Sequence, residues 1–111
     1  MDGGAAVIMT TVPTTEDAAR LAGLLLDERL AACVQELPIT SHFRWEGRAR
    51  REPEILLLIK SARDRAAEAA ARIESAHPYE IPEVLVLEAT GAGAAYLAWL
   101  TAETRPPASG A

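Results

Sequence analysis

Cysteine is almost missing from this chain: Cys33 stands alone in 111 residues. That excludes a disulfide framework within one chain, and with it zinc ribbons, zinc fingers and iron–sulfur sites built from one chain. A reducing, cytoplasmic setting suits such sparing use. Histidine is nearly as scarce. His42 and His77 lie far apart, so no His-x-x-x-His zinc pattern exists. Positive charge is in deficit, with 11 Lys and Arg against 16 Asp and Glu and a net charge of −5. An acidic chain is a poor match for nucleic-acid phosphates or an anionic membrane surface. No apolar run approaches the ~18 residues of a membrane span. Ala5–Met9 is too short for the apolar region of a signal peptide. Gly-x-x-x-x-Gly-Lys, Gly-x-Gly-x-x-Gly and Gly-x-Ser-x-Gly are all absent. Phosphate-loop, dinucleotide and nucleophile-elbow chemistry therefore have no motif.

What is present is the balance of a globular domain: 50% of residues are apolar and 24% charged. The length predicts one domain over residues 1–111, with a core over about 7–104 and a flexible tail over 105–111. Two strand–helix units follow one plan. Ala5–Val12 reads as a strand stopped by Pro13. Thr14 and Asp17 then have the spacing of a capping box. The helix they open runs to about Leu30, with Ala18, Leu21, Ala22, Leu25, Leu26 and Leu30 on its apolar face. In the second unit, Glu54–Lys60 is apolar enough for a central strand. Ser61 and Asp64 repeat the capping spacing. Ala62, Ala66, Ala69, Ala70 and Ile73 form a helical stripe that ends at His77-Pro78.

Each helix feeds another strand. Ala32–Leu37 and, beyond Pro38, Ile39–Trp45 follow the first; Glu83–Ala89 follows the second. Glu46-Gly47 is a hairpin turn, and Tyr96, Trp99 and Leu100 mark a last helix. The order predicts an α+β fold: a ferredoxin-like βαβ–βαβ antiparallel sheet with an extra C-terminal helix. One sheet face then lacks cover, and the long hairpin overreaches the sheet. Both point to pairing with another copy of the chain.

Few residues are candidates for chemistry. Cys33 lies in an apolar run and reads as core, with a nucleophile paired to His77 as the alternative. His77 ends a helix. Either it caps the last carbonyls, or with Tyr79, Glu80 and Glu83 nearby it holds a borderline metal such as Cu(II) or Zn(II). His42 reads as a solvated strand histidine. Lys60 would pair with Glu80 or Glu83, or with an anionic ligand. Arg44, Arg48, Arg50 and Arg51 flank Trp45, but Glu46 and Glu52 interrupt them, so a solvated tip or an intersubunit contact is favoured over nucleic acid. Phe43, Trp45, Tyr96 and Trp99 suit a subunit interface.

Several stretches together are specific. Arg29-Leu30-Ala31-Ala32-Cys33-Val34, Ile39-Thr40-Ser41, Arg44-Trp45-Glu46-Gly47, Glu54 to Lys60, His77-Pro78-Tyr79-Glu80-Ile81-Pro82-Glu83 and Tyr96-Leu97-x-Trp99 occur in the order and spacing of the CutA family. The chain resembles these divalent-cation tolerance proteins from about Val7 to Thr104. The resemblance implies a ferredoxin-like homotrimer similar in architecture to PII signalling proteins, not an enzyme. It implies a ligand cleft between subunits near Lys60, Tyr79, Glu80 and Glu83, and an interface that includes Phe43, Trp45, Glu46 and Trp99. It also implies copper or another divalent cation, or a small effector, as ligand. Of the metal ligands proposed for the family only His77 has a counterpart. Ala76 and Thr10 stand where some members have histidine and cysteine. The alternative is a trimeric scaffold that docks a partner protein, with the metal association indirect.

Overall fold

The computed structural model describes residues 3–106. β1 (Ala5–Val12) leads to α1 (Thr15–Asp27), β2 (Cys33–Trp45) and β3 (Arg48–Ala62). A 3-10 turn (Arg63–Arg65) opens α2 (Ala66–Ala76), which is followed by β4 (Leu85–Glu88) and α3 (Ala94–Glu103). The strands form one sheet in the order β2-β3-β1-β4, every neighbour antiparallel. This is the expected ferredoxin-like arrangement with an added C-terminal helix.

Local chemistry accounts for several boundaries. The Asp17 amide donates to Thr14 Oγ1 at 3.1 Å, which satisfies one orphan donor at the start of α1. Glu46 and Gly47 sit at φ 51° and 76°. Two successive left-handed residues make the two-residue turn whose twist matches a hairpin. Arg29, at φ 56°, reverses the chain after α1, so the helix stops at Asp27 rather than at Leu30. Leu30 is buried all the same. Leu26 is 43% exposed and is not on the core face, because it lies one helical step round from Leu25.

Three elements differ from expectation. Pro38 does not divide β2, which is a single edge strand, where a missing N–H is tolerated. Ser61 does not cap α2. β3 continues to Ala62 because Ala5 and Ala6 of β1 pair with Ala62 and Ser61. The Ser61 hydroxyl instead donates to the Leu30 carbonyl at 2.7 Å, and α2 starts without a side-chain cap. β4 is shorter than Glu83–Ala89, and Glu83 falls in the preceding loop. Arg105, placed in the expected tail, donates twice to Asp64, at 3.0 and 2.9 Å. Residues 107–111 of that tail lie outside the described residues.

The core lies between one face of the sheet and helices α1 and α2. Ile8, Val12, Leu57 and Ile59 meet Leu21, Leu25 and Ile73, all fully buried. Across the α1–α2 seam, Arg72 forks onto Glu28 at 2.9 Å. This pairing draws the Glu28 carboxyl below its ordinary pKa. Strand alternation sends the intervening residues to the opposite face. Ladder partners share a face, so Leu37 with Leu56, Met9 with Leu85, and Val7 with Leu87 lie there. Leu37, Leu85 and Leu87 are 48%, 55% and 47% exposed. An apolar sheet face this open within one chain invites cover from outside it.

Candidate functional site

The sheet and the His77–Val84 loop create one sizeable cleft. β2 and β3 run past the end of β1, and the loop leaving α2 crosses that end of the sheet. His77 anchors the crossing. Its Nε2–H donates to the Thr11 carbonyl at 2.8 Å, and its Nδ1 accepts from the Tyr79 amide at 3.0 Å. Both ring nitrogens are thus engaged, in the neutral tautomer that the two partners require. The Tyr79 ring lies 5.1 Å from the imidazole, centroid to centroid. Its hydroxyl reaches β3 and donates to Glu54 Oε2 at 2.7 Å. Burial, and then the Glu54 carboxylate, push the phenol pKa well up.

The cleft encloses about 550 Å³. Its hairpin wall consists of Ser41, Phe43, Trp45, Arg50, Glu52 and Glu54. The partners Ser41–Glu52 and Phe43–Arg50 share the open face of the sheet. The loop wall is Tyr79, Glu80, Ile81 and Glu83, with Thr11 and His42 at the border. Arg50 lies 3.7 Å from Glu46 at the turn. Glu52, Glu80 and Glu83 have no hydrogen-bond or ion-pair partner among the described residues. The cleft is therefore acidic and walled by aromatics.

Sequence reasoning selected Tyr79, Glu80 and Glu83, and the structure brings them together. Lys60 is elsewhere. It lies toward the other end of β3, six residues from Glu54 or roughly 20 Å, and its ammonium donates to Gln35 Oε1 at 2.7 Å. It pairs with neither Glu80 nor Glu83. His42 is exposed, as a solvated strand histidine would be, and it also borders the cleft. Phe43 and Trp45 are exposed on the hairpin wall, and Glu46 occupies the turn. Trp99 is exposed on α3, its ring 5.7 Å from that of Tyr96. Glu52 and Glu54 were missed. The signal available was the two-residue period Arg50-x-Glu52-x-Glu54 opposite Ser41-x-Phe43-x-Trp45.

Cys33 is half-buried and pairs with Lys60, whereas His77 is bonded to Thr11, whose partner is Leu56. Four strand residues, roughly 13 Å, separate those levels of the sheet. The Cys33–His77 dyad is not assembled. Nor do the described residues of one chain fit a copper or zinc centre. No group of three or more His, Cys, Asp or Glu is placed to hold an ion, and His77 already uses both ring nitrogens.

Burial lowers the His77 pKa from the ordinary 6.5. Arg20 adds to the effect, and the Thr11 bond, Asp17 and Glu54 oppose it. The neutral ring is thus the native form. Between the lowered native value and 6.5 the unfolded chain binds more protons, so stability falls as pH drops through that window. Protonated Nδ1 also cannot accept from the Tyr79 amide. Thermal unfolding in chelator-containing buffers should show a melting temperature that declines below about pH 6.5. His77→Gln should flatten that decline; an unchanged slope would remove His77 as its cause.

The molecule is a small ferredoxin-like module with a partly open apolar sheet face and an acidic, aromatic-walled cleft. It belongs to the CutA family: residues 6–103 match the family model described as CutA1 divalent ion tolerance protein. A divalent-cation tolerance protein CutA of Pectobacterium atrosepticum is 42% identical over 102 residues, covering 91% of this chain and 93% of that one. The Thermus thermophilus protein of the same name is 38% identical, covering 88% and 96%. The crystal structure of a divalent ion tolerance protein CutA1 from Ehrlichia chaffeensis superposes with a TM-score of 0.89 at 30% identity, covering 93% and 97%. Among the described residues no helix is long and apolar enough to cross a membrane.

Proposed function

We propose that this chain serves divalent-cation tolerance as a binding module rather than an enzyme. In this reading it assembles as a homotrimer of PII-like plan, and the cleft between hairpin and loop takes a divalent cation or small effector. The observation that carries the reading is the cleft, where Glu52, Glu80 and Glu83 stand without partners among the described residues, beside a sheet face on which Leu37, Leu85 and Leu87 are about half-exposed. The described residues of one chain have too few convergent donors for an ion, so an ion bound here takes ligands from more than one subunit. Phe43, Trp45, Glu46 and Trp99 belong to the contacts between copies. His77 holds the loop that carries Glu80 and Glu83.

Equilibrium dialysis against Cu(II) and Zn(II), with mass determined in the same samples, tests the reading. The expected result is a trimer that binds an ion at a defined ratio. Glu52→Gln combined with Glu83→Gln should weaken binding roughly tenfold or more, since charge-assisted contacts are the stronger class. His77→Ala should weaken it as well, by releasing the loop. An intact trimer with no saturable metal would move the function to effectors or to a docked protein partner.

A further inference from the structure

We propose that Lys60 forms an ion pair with Glu83 of a neighbouring copy. This rests on the assembly of copies proposed above and adds the contact that orients them. Ladder partners set Cys33, Lys60, Val7 and Leu87 in one row across all four strands, on the open face of the sheet. The next row on that face is Gln35, Leu58, Met9 and Leu85. Lys60 is the single charge in these rows, and it is also the only lysine of the chain. Its ammonium donates to Gln35 Oε1 at 2.7 Å. That acceptor is neutral and engages one of three N–H donors. When another copy covers this face, the ammonium loses its water. A cation taken out of water needs a paired charge, and an amide oxygen alone does not supply one.

Glu83 has the complementary lack. It is exposed and without a partner among the described residues, and it borders the same face two residues before Leu85, beside Thr11. Within one chain the two groups do not meet. Thr11 lies four residues from Val7, the partner of Lys60, which is roughly 13 Å along the strands. β1 also stands between β3 and β4. Between copies the placement is favourable. Lys60 is one strand in from the β2 edge, Glu83 adjoins the β4 edge, and these are the two free edges of the sheet. A head-to-tail contact that sets the β4 side of one copy against the β2 side of the next brings the charges together, and repeated contacts of this kind close into a ring. Glu54 is no rival, because Tyr79 holds one of its oxygens. A carboxylate has two oxygens, so Glu83 meets the ammonium with one and leaves the other to the cleft.

Dilution of the full chain, with mass read by light scattering and fold by far-ultraviolet circular dichroism, tests the proposal. Lys60→Met should raise the concentration at which the assembly dissociates roughly tenfold or more, because Glu83 is left covered and unpaired. Glu83→Gln, a loop change outside the core, should act in the same direction. Lys60→Glu and Glu83→Lys should each weaken assembly, since like charges then meet, and the two together should restore it. Assembly that is unchanged or tighter in Lys60→Met would mean that the ammonium is a solvated misfit on an apolar face, and would overturn the proposal. Two weakened single reversals whose combination does not recover would overturn it as well, and leave the assembly standing. A wild-type chain that stays single at every concentration would refute the assembly itself, and this pair with it.

Discussion

Leu37→Glu combined with Leu87→Glu will turn the proposed trimer into single folded chains, with the mass falling to that of one chain, 11.8 kDa. Both leucines lie on the open sheet face, one on each edge strand, at 48% and 47% exposure. Neither belongs to the core beneath α1 and α2, so the chain keeps its fold. In a trimer each change is repeated in every subunit. Each removes roughly 1.5–3 kcal/mol of apolar burial and leaves a carboxylate to be desolvated without a partner. Sedimentation or light scattering reads the mass, and far-ultraviolet circular dichroism reads the retained fold. A variant that stays trimeric would show that this face is not the one that copies cover. A variant that unfolds would show that the chain has no stability outside the assembly.

The same sheet predicts the opposite outcome on its other face. Ile59→Ala should cost roughly 2–5 kcal/mol, a large part of a typical stability of about 5–15 kcal/mol. Ile59 is fully buried and pairs with Ile8 in the layer that meets the helices. Truncation leaves a cavity that rigid neighbours on β1 and β3 cannot close. Urea unfolding in the monomeric background gives the cleanest reading, because the midpoint is then independent of protein concentration. A loss under about 1 kcal/mol would mean that the core collapses around the site more freely than its packing suggests. The neighbour Leu58, one residue away on the opposite face, should be far more tolerant in that background.

Legibility differed from element to element. β1 was readable to both its ends, since an apolar run stopped by proline has few alternatives. The Thr14 cap and the Glu46-Gly47 turn were equally plain, because both depend on residues a few positions apart. Ser61 and Asp64 carried the same capping spacing, yet Ser61 bonds Leu30 and Asp64 bonds Arg105. A local pattern states what a side chain could do, and a distant partner takes the group first. Lys60 illustrates the same competition, with Gln35 across the ladder replacing the expected glutamates. In the cleft, Tyr79, Glu80 and Glu83 could be selected from a motif. Glu52 and Glu54 carried only the two-residue period of their strand, which says that they share a face but not that the loop carrying Glu80 and Glu83 lies over it.

The sequence alone determined the strand and helix order, the hairpin, the helix cap and the membership of the CutA family. These follow from periodicity, turn chemistry and motif spacing, which act over a few residues or are spread along the whole chain. Only the tertiary structure decided which carboxylates share the cleft, that His77 spends both ring nitrogens on Thr11 and Tyr79, and that Cys33 stands apart from it. Those outcomes depend on sheet order and register. A one-residue slip in β3 would send Glu52 and Glu54 to the helix face and bring Ile55 and Leu57 to the open one.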